Sequence, residues 1–271
     1  IEGDIDWLNK FAEIWDYRKK QTKGGERWTL FDDRFLEDHS EEIIHLAEGL
    51  GLITTTEPNK RPDFILPLGG ARLTNLYRPA MARKIADKYG CREIVALTGT
   101  RPINDIERPF TDQYAVGVKT EYEAMCKGVE KSFDLFPNMA TESGVSFDNI
   151  NKSWSITKYS KTQWQYPISI LAAPSSDPSR RANSLDTYTF FMEKYNVKES
   201  SNILLITNCI YVPFQLLRFI PLAFEKNIYV DCIGTNVQPP GITFNTVANY
   251  CQEIKATINA IGSLPPECLR G

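Results

Sequence analysis

Between residues 61 and 235, short uninterrupted apolar runs alternate with stretches of helical spacing, and this alternation leaves few folds open. Asp63-Phe64-Ile65-Leu66-Pro67-Leu68 ends in Gly69-Gly70, and Glu93-Ile94-Val95-Ala96-Leu97-Thr98 ends in Gly99. Residues 168–172, 202–207 and 227–233 repeat the pattern. A strand that is apolar at every position needs cover on both faces, the condition of a parallel sheet walled by helices. Helical periodicity fills the gaps at about 76–89, 120–133, 184–195 and 212–224, and a last helix is expected at 246–261. The alternation predicts an α/β protein with a Rossmann-like, three-layer parallel sheet and helices on both faces.

Two regions break the rhythm. In the first, Ile5, Leu8, Phe11, Ala12 and Trp15 mark one helix face, and residues 19–26 read as a polar turn around Gly24-Gly25. A second helix, starting at Phe31 or Ser40 and ending at Leu50, carries an apolar stripe of Ile43, Ile44, Leu46, Ala47 and Leu50, with Gly51 at its C-terminal end. Residues 1–60 are therefore expected as an N-terminal helical extension packed on an α/β domain spanning 61–271. In the second region, about 137–167, Trp154, Ile156, Tyr159, Trp164 and Tyr166 are spaced by Ser, Thr and Lys, which predicts an inserted hairpin or flap with its aromatic residues in packing roles.

Composition excludes several functions. A formal net charge of -3, with both signs scattered, offers no basic face to a nucleic acid. The most apolar stretch, 211–224, is interrupted by Gln215, Arg218 and two prolines and is too short to cross about 30 Å of hydrocarbon, so no transmembrane segment is expected. The six cysteines include no Cys-x-x-Cys and no zinc-type pairing with histidine, so no metal is predicted. Cys209 and Cys232 lie in apolar runs, as buried thiols do, and reducing, cytoplasmic surroundings are the expectation. A first residue Ile1 rather than Met leaves a removed leader open. Glu42 and His45 have the i, i+3 spacing of metal-binding helices, but a single copy reads more simply as a solvated face. There is no GxSxG, GxGxxG or GxxxxGK[ST], so a serine-hydrolase elbow, an ordinary dinucleotide fingerprint and a P-loop are all absent.

In an open parallel sheet, ligands settle beyond the C-terminal ends of the strands. The loops there are Leu68-Gly69-Gly70-Ala71-Arg72, Leu97-Thr98-Gly99-Thr100-Arg101, Ala173-Pro174-Ser175-Ser176 leading to Arg180-Arg181-Ala182-Asn183-Ser184, and Thr207-Asn208-Cys209-Ile210-Tyr211. Glycine lets a backbone approach, hydroxyls donate, and arginine offers a fork matched to carboxylate or phosphate, so the rim suits an anionic or nucleotide-like small molecule.

In this order the segments resemble the YdcF/SanA/ElyC-like family, a bacterial family of unknown function with a Rossmann-like core, over about residues 62–235. The first strand with its glycine pair is followed by Arg72 and a helix carrying Arg78 and Ala80; the second resembles a strand ending in Ser/Thr-Gly-Gly, with Thr100 in place of the second glycine. Glu121-Tyr122-Glu123-Ala124-Met125 is similar to the helix that opens on the family's acidic residue. Ser184-Leu185-Asp186-Thr187-Tyr188 resembles Ser-x-Asn-Thr-x-Glu-Asn, keeping Thr187 and departing at Asp186, Thr189 and Phe190. Residues 207–214 are similar to Thr-Ser-x-Tyr-His-x-x-Arg, with Tyr211 at the histidine and Phe214 at the arginine.

The resemblance and the rim loops together give Gly69, Gly70, Arg72, Arg78, Thr98, Gly99, Thr100, Arg101, Arg181, Asn183, Thr187, Thr207, Asn208, Tyr211 and Arg218 as candidate ligand-binding residues, and Glu121 as the candidate catalytic carboxylate. The resemblance implies S-adenosylmethionine, or another nucleotide-like or anionic molecule, as ligand. It leaves open a group-transfer enzyme, a non-catalytic ligand sensor, and a phosphate- or glycan-directed hydrolase linked to envelope metabolism. Tyr211 in place of histidine removes the rim's proton shuttle near neutral pH, while Arg218, one turn beyond Phe214, would restore positive charge on that face.

Overall fold

A computed structural model describes residues 2–22, 29–54, 56–135, 139–146, 148–159, 164–236 and 245–269; the Gly24-Gly25 turn and the start of the insertion at Pro137 lie outside them. The sheet is formed by β1 (Phe64–Pro67), β2 (Glu93–Thr98), β3 (Met139–Gly144), β4 (Trp154–Tyr159), β5 (Ile168–Ala172), β6 (Asn202–Asn208) and β7 (Tyr229–Thr235). Their spatial order is β3-β4-β5-β2-β1-β6-β7. The five strands from β5 to β7 are mutually parallel. Counted along the chain, these run 3-2-1-4-5, the order of Rossmann sheets, with the reversal between β1 and β6. The insertion is a hairpin: β3 and β4 pair antiparallel, and β4 pairs antiparallel with β5, so it widens the sheet at one edge.

Side-chain alternation divides the core cleanly. Ile65, Ile94, Ala96, Ile170, Leu204 and Ile206 face α5 (Thr74–Tyr89) and α7 (Glu121–Phe133), which bring Ala82, Ile85, Met125, Val129 and Phe133. Their neighbours Phe64, Leu66, Val95, Leu97, Leu171 and Leu205 face α8 (Ser184–Lys194) and α9 (Val212–Glu225), which bring Tyr188, Phe190, Phe191 and Phe219. Each such large side chain contributes about 1.5–3 kcal/mol by leaving water.

The α5–α7 contact depends on two residues that disfavour helices. Pro79, inside α5, has no N–H, so the carbonyl of Asn75 lacks its helical donor. Gly128 of α7 fills that place, for a Cβ built on it would lie 1.8 Å from the Asn75 oxygen. Only glycine lets the helices come this close, with a Cα–H against the vacated carbonyl.

The remaining helices are α1 (Glu2–Ala12), α2 (Tyr17–Thr22), α3 (Arg34–Asp38), α4 (Ser40–Gly49), the short α6 (Arg108–Thr111) and α10 (Val247–Gly262). The N-terminal four gather on α10, where Tyr17, Leu30 and Leu36 bury Val247, Ala248 and Cys251, and Ala47 and Leu52 meet Ile254. Asp32 caps α10 from outside by accepting the backbone N–H groups of Val247 (3.1 Å) and Ala248 (2.8 Å), and Lys255 pairs with Glu13 (3.0 Å) and Asp16. Contact with one helix covers only a narrow stripe. Leu8, Phe11, Leu46 and Leu50, expected on the buried faces, are therefore exposed, and Phe11 stacks on the still more exposed Trp7 at 5.2 Å. Gly51 ends α4 at φ 76°, where glycine carries no steric penalty. Among the described residues, no helix is long and apolar enough to cross a membrane.

Candidate functional site

In a parallel sheet the helix following each strand aims its N-terminus back over the strand ends. At the β1–β6 reversal, the starts of α7, α8 and α9 surround a cleft of about 860 Å³. The β1 loop forms part of its floor. Gly69 donates its N–H to the Leu97 carbonyl (2.5 Å) and Gly70 to Asn75 Oδ1 (3.0 Å), so both glycines line the cleft with their donors already used. The reason for glycine at 69 is space: a Cβ would lie 2.5 Å from Glu121 Oε1 and 2.8 Å from Thr98 Oγ1.

At the β2 end, Thr98, Gly99, Thr100 and Arg101 line the cleft, and nothing stands within 4 Å of where a Gly99 Cβ would be. Glu121 opens α7 just after its N-cap, Thr120, where the helix dipole favours a carboxylate. Its Oε1 accepts from Thr98 Oγ1 (3.2 Å) and its Oε2 from Arg101 Nε (2.8 Å). Arg101 is gripped from the other side by Glu107 (2.9 Å), which is fully enclosed and whose second oxygen has no hydrogen-bond partner among the described residues.

The α8 side is built by a capping box. Asn183 accepts the Asp186 N–H (3.1 Å) and Asp186 accepts the Asn183 N–H (2.8 Å), while Asp186 also receives Arg180 (2.5 Å) and the backbone of Ser176 (3.1 Å). Burial by itself would raise the Asp186 carboxyl, but Arg180, the Ser176 hydroxyl and the two backbone donors outweigh it and hold the group well below the usual carboxylate range. The aspartate that departs from the family pattern thus orders the loop carrying Arg180 and Arg181. Arg181, Asn183 and Thr187 line the cleft, together with Phe214, Gln215 and Arg218 of the adjoining α9. Gln215 is fixed by the Tyr188 hydroxyl (2.6 Å), whereas Arg218 has no ion-pair partner among the described residues.

Five of the expected ligand residues are not among those lining the cleft. Arg78 is buried and donates to the carbonyls of Leu68 (2.7 Å) and Gly69 (2.6 Å) and to Asn208 Oδ1 (3.0 Å), tying the ends of β1 and β6 together. Burial pushes its guanidinium down to about 10, partly countered by Tyr211 and Glu121, so it stays charged at neutral pH. Asn208 is taken up by this bond, and Thr207 is fully enclosed. Arg72, in the left-handed region at φ 59°, lies 5.0 Å over the Phe110 ring, and its carbonyl accepts the Tyr114 hydroxyl (3.1 Å). Burial lowers its pKa, with Glu107 and Tyr211 opposing. Tyr211 packs beside Leu52 and Ile254, under the N-terminal helices.

Sequence reasoning missed Arg18, Asn104, Asn151 and Gln215, all of which line the cleft, and passed over Arg180 in a loop it had singled out. Arg18 belongs to α2, which reaches the rim because its N–H is held by Gln252 of α10 (3.0 Å). No local signal marks that contact. The insertion contributes Ile150 and Asn151; its aromatic residues pack elsewhere, Trp164 against Phe133 at 5.2 Å and Trp154 against Phe190 at 5.8 Å. Among the described residues, no group of His, Cys, Asp and Glu could hold a metal ion, and none of the six cysteines forms a disulfide with another.

The chain is similar to uncharacterized mycobacterial proteins, among them Rv3785 of Mycobacterium tuberculosis and Mb3814 of Mycobacterium bovis. Each is 27% identical over 291 positions that cover 97% of this chain and 81% of the relative. No family model and no solved structure matches it.

Proposed function

We propose that the cleft binds a small anionic molecule of up to nucleotide size, bearing phosphate or carboxylate. The observation that carries this is its charge: among the described residues, five arginines, Arg18, Arg101, Arg180, Arg181 and Arg218, line it against one acid, Glu121. A volume of about 860 Å³ suits such a ligand. S-adenosylmethionine, which the YdcF-like resemblance implies, fits less well. It brings a sulfonium and an ammonium to a lining of five arginines and, among the described residues, a single carboxylate whose charge Arg101 already engages. The same engagement, with Tyr211 where the family has histidine and placed off the cleft, favours a binding or sensing role over acid–base turnover. Six cysteines, four of them buried and none in a disulfide among the described residues, suit a reducing cytoplasm.

Calorimetric titration of pyrophosphate, ATP and S-adenosylmethionine tests the proposal. The anions are expected to bind, more weakly as salt rises, and about tenfold more weakly to Arg218→Ala. Tighter binding of S-adenosylmethionine than of either anion would overturn it.

A further inference from the structure

We infer that the ligand is a phosphate ester of a hydroxyl-rich molecule, of the sugar phosphate class, held with its phosphate at the α8–α9 side and its hydroxyls at the β2 end. This rests on the anion-binding role proposed above and adds the direction in which the ligand lies. The two sides of the cleft differ in charge. At the β2 end Glu121 and the enclosed Glu107 share Arg101, and Arg72 faces Glu107 from the β1 loop, so the charges there cancel. Glu107 also keeps one oxygen without a hydrogen-bond partner. A phosphate dianion placed there would meet two carboxylates with no surplus cation, and like charges at short range in a part-buried site repel strongly. A neutral hydroxyl meets the opposite reception, because the rim carboxylate of Glu121 accepts charge-assisted hydrogen bonds and Thr100 stands beside it.

Across the cleft no acid lines the wall. Arg218 has no ion-pair partner among the described residues, and Gln215 and Ser184 supply further polar groups beside the start of α8. The nearest acid of that wall, Asp186, does not line the cleft and is neutralised by Arg180. The side that takes a phosphate and the side that takes hydroxyls are therefore distinct.

Calorimetry with inorganic phosphate, ribose 5-phosphate and ribose separates the two ends. Ribose 5-phosphate is expected to bind at least about tenfold tighter than phosphate. Arg218→Ala should weaken both by a similar factor, about tenfold. Glu121→Gln should weaken ribose 5-phosphate about tenfold and leave phosphate unchanged, with Thr100→Val giving a smaller loss of the same kind. Circular dichroism establishes that each variant is folded, and Thr100→Val, which removes no charge, decides the matter if Glu121→Gln is not. Equal affinity for phosphate and ribose 5-phosphate, or equal weakening of both by the β2-end variants, overturns the orientation and leaves the anion role standing. Absence of binding by either anion overturns both.

Discussion

Arg78 and Arg218 look alike in the sequence, since each lies in a helix that follows a central strand, yet they do opposite work. Arg78 is sealed beneath the rim and spends its donors on two backbone carbonyls and Asn208. Arg218 stands in the cleft wall without an ion-pair partner among the described residues. The difference lies in what each helix leaves over the strand ends. The carbonyls of Leu68 and Gly69 lie within reach of Arg78, whereas the face of α9 that carries Phe214, Gln215 and Arg218 lines the cleft. An arginine at a strand-end rim is thus a fastener or a receptor according to the backbone oxygens within its reach.

The contrast can be broken at four places. Arg78→Ala strands two carbonyls and an amide in a dry site and should cost about 3–5 kcal/mol in urea unfolding; a loss under about 1 kcal/mol would remove the fastener role. Gly69→Ala sets a methyl against Glu121 and Thr98 and should cost about 1–3 kcal/mol while weakening ligand binding. Asp186→Asn frees Arg180 and should cost about 1–2 kcal/mol at neutral pH. Because the folded carboxyl is held below its unfolded value, this contribution is complete above about pH 4 and disappears as pH falls further. The variant's stability should consequently fall less steeply than the native chain's in that acid range, and parallel slopes would contradict the pairing. Arg218→Ala should change stability by less than about 0.5 kcal/mol, with its whole effect in affinity; a large loss of stability would make Arg218 a second fastener.

The parallel sheet was readable because its strands are buried on both faces. β2 and β5 follow the apolar runs residue for residue, and the other three differ by one or two residues at their ends. The N-terminal faces were less readable. Periodicity marks which residues are apolar, while the width of the partner decides how many are covered, and one helix could not cover Leu8, Phe11, Leu46 and Leu50 together. At the site, the loops that form the cleft could be found from the strand ends. The division of their arginines could not, because it depends on carbonyls contributed by other segments. Arg18 reaches the cleft through Gln252, 234 residues away, and Asn151 through Ser175 and Pro178, more than 20 residues on, contacts that no local pattern encodes.

The dependence of the N-terminal helices on α10 has a consequence for synthesis. α10 follows α4 by roughly 200 residues, so the first helices leave the ribosome long before the surface that shelters them exists. At about 5–20 residues per second the interval is on the order of 10–40 s. Throughout it Tyr17, Leu30, Leu36 and Leu52 have no burial site, and Asp32 has no helix to cap. The nascent chain would be a chaperone client for that interval, and it would be released from that state by the arrival of a single late helix.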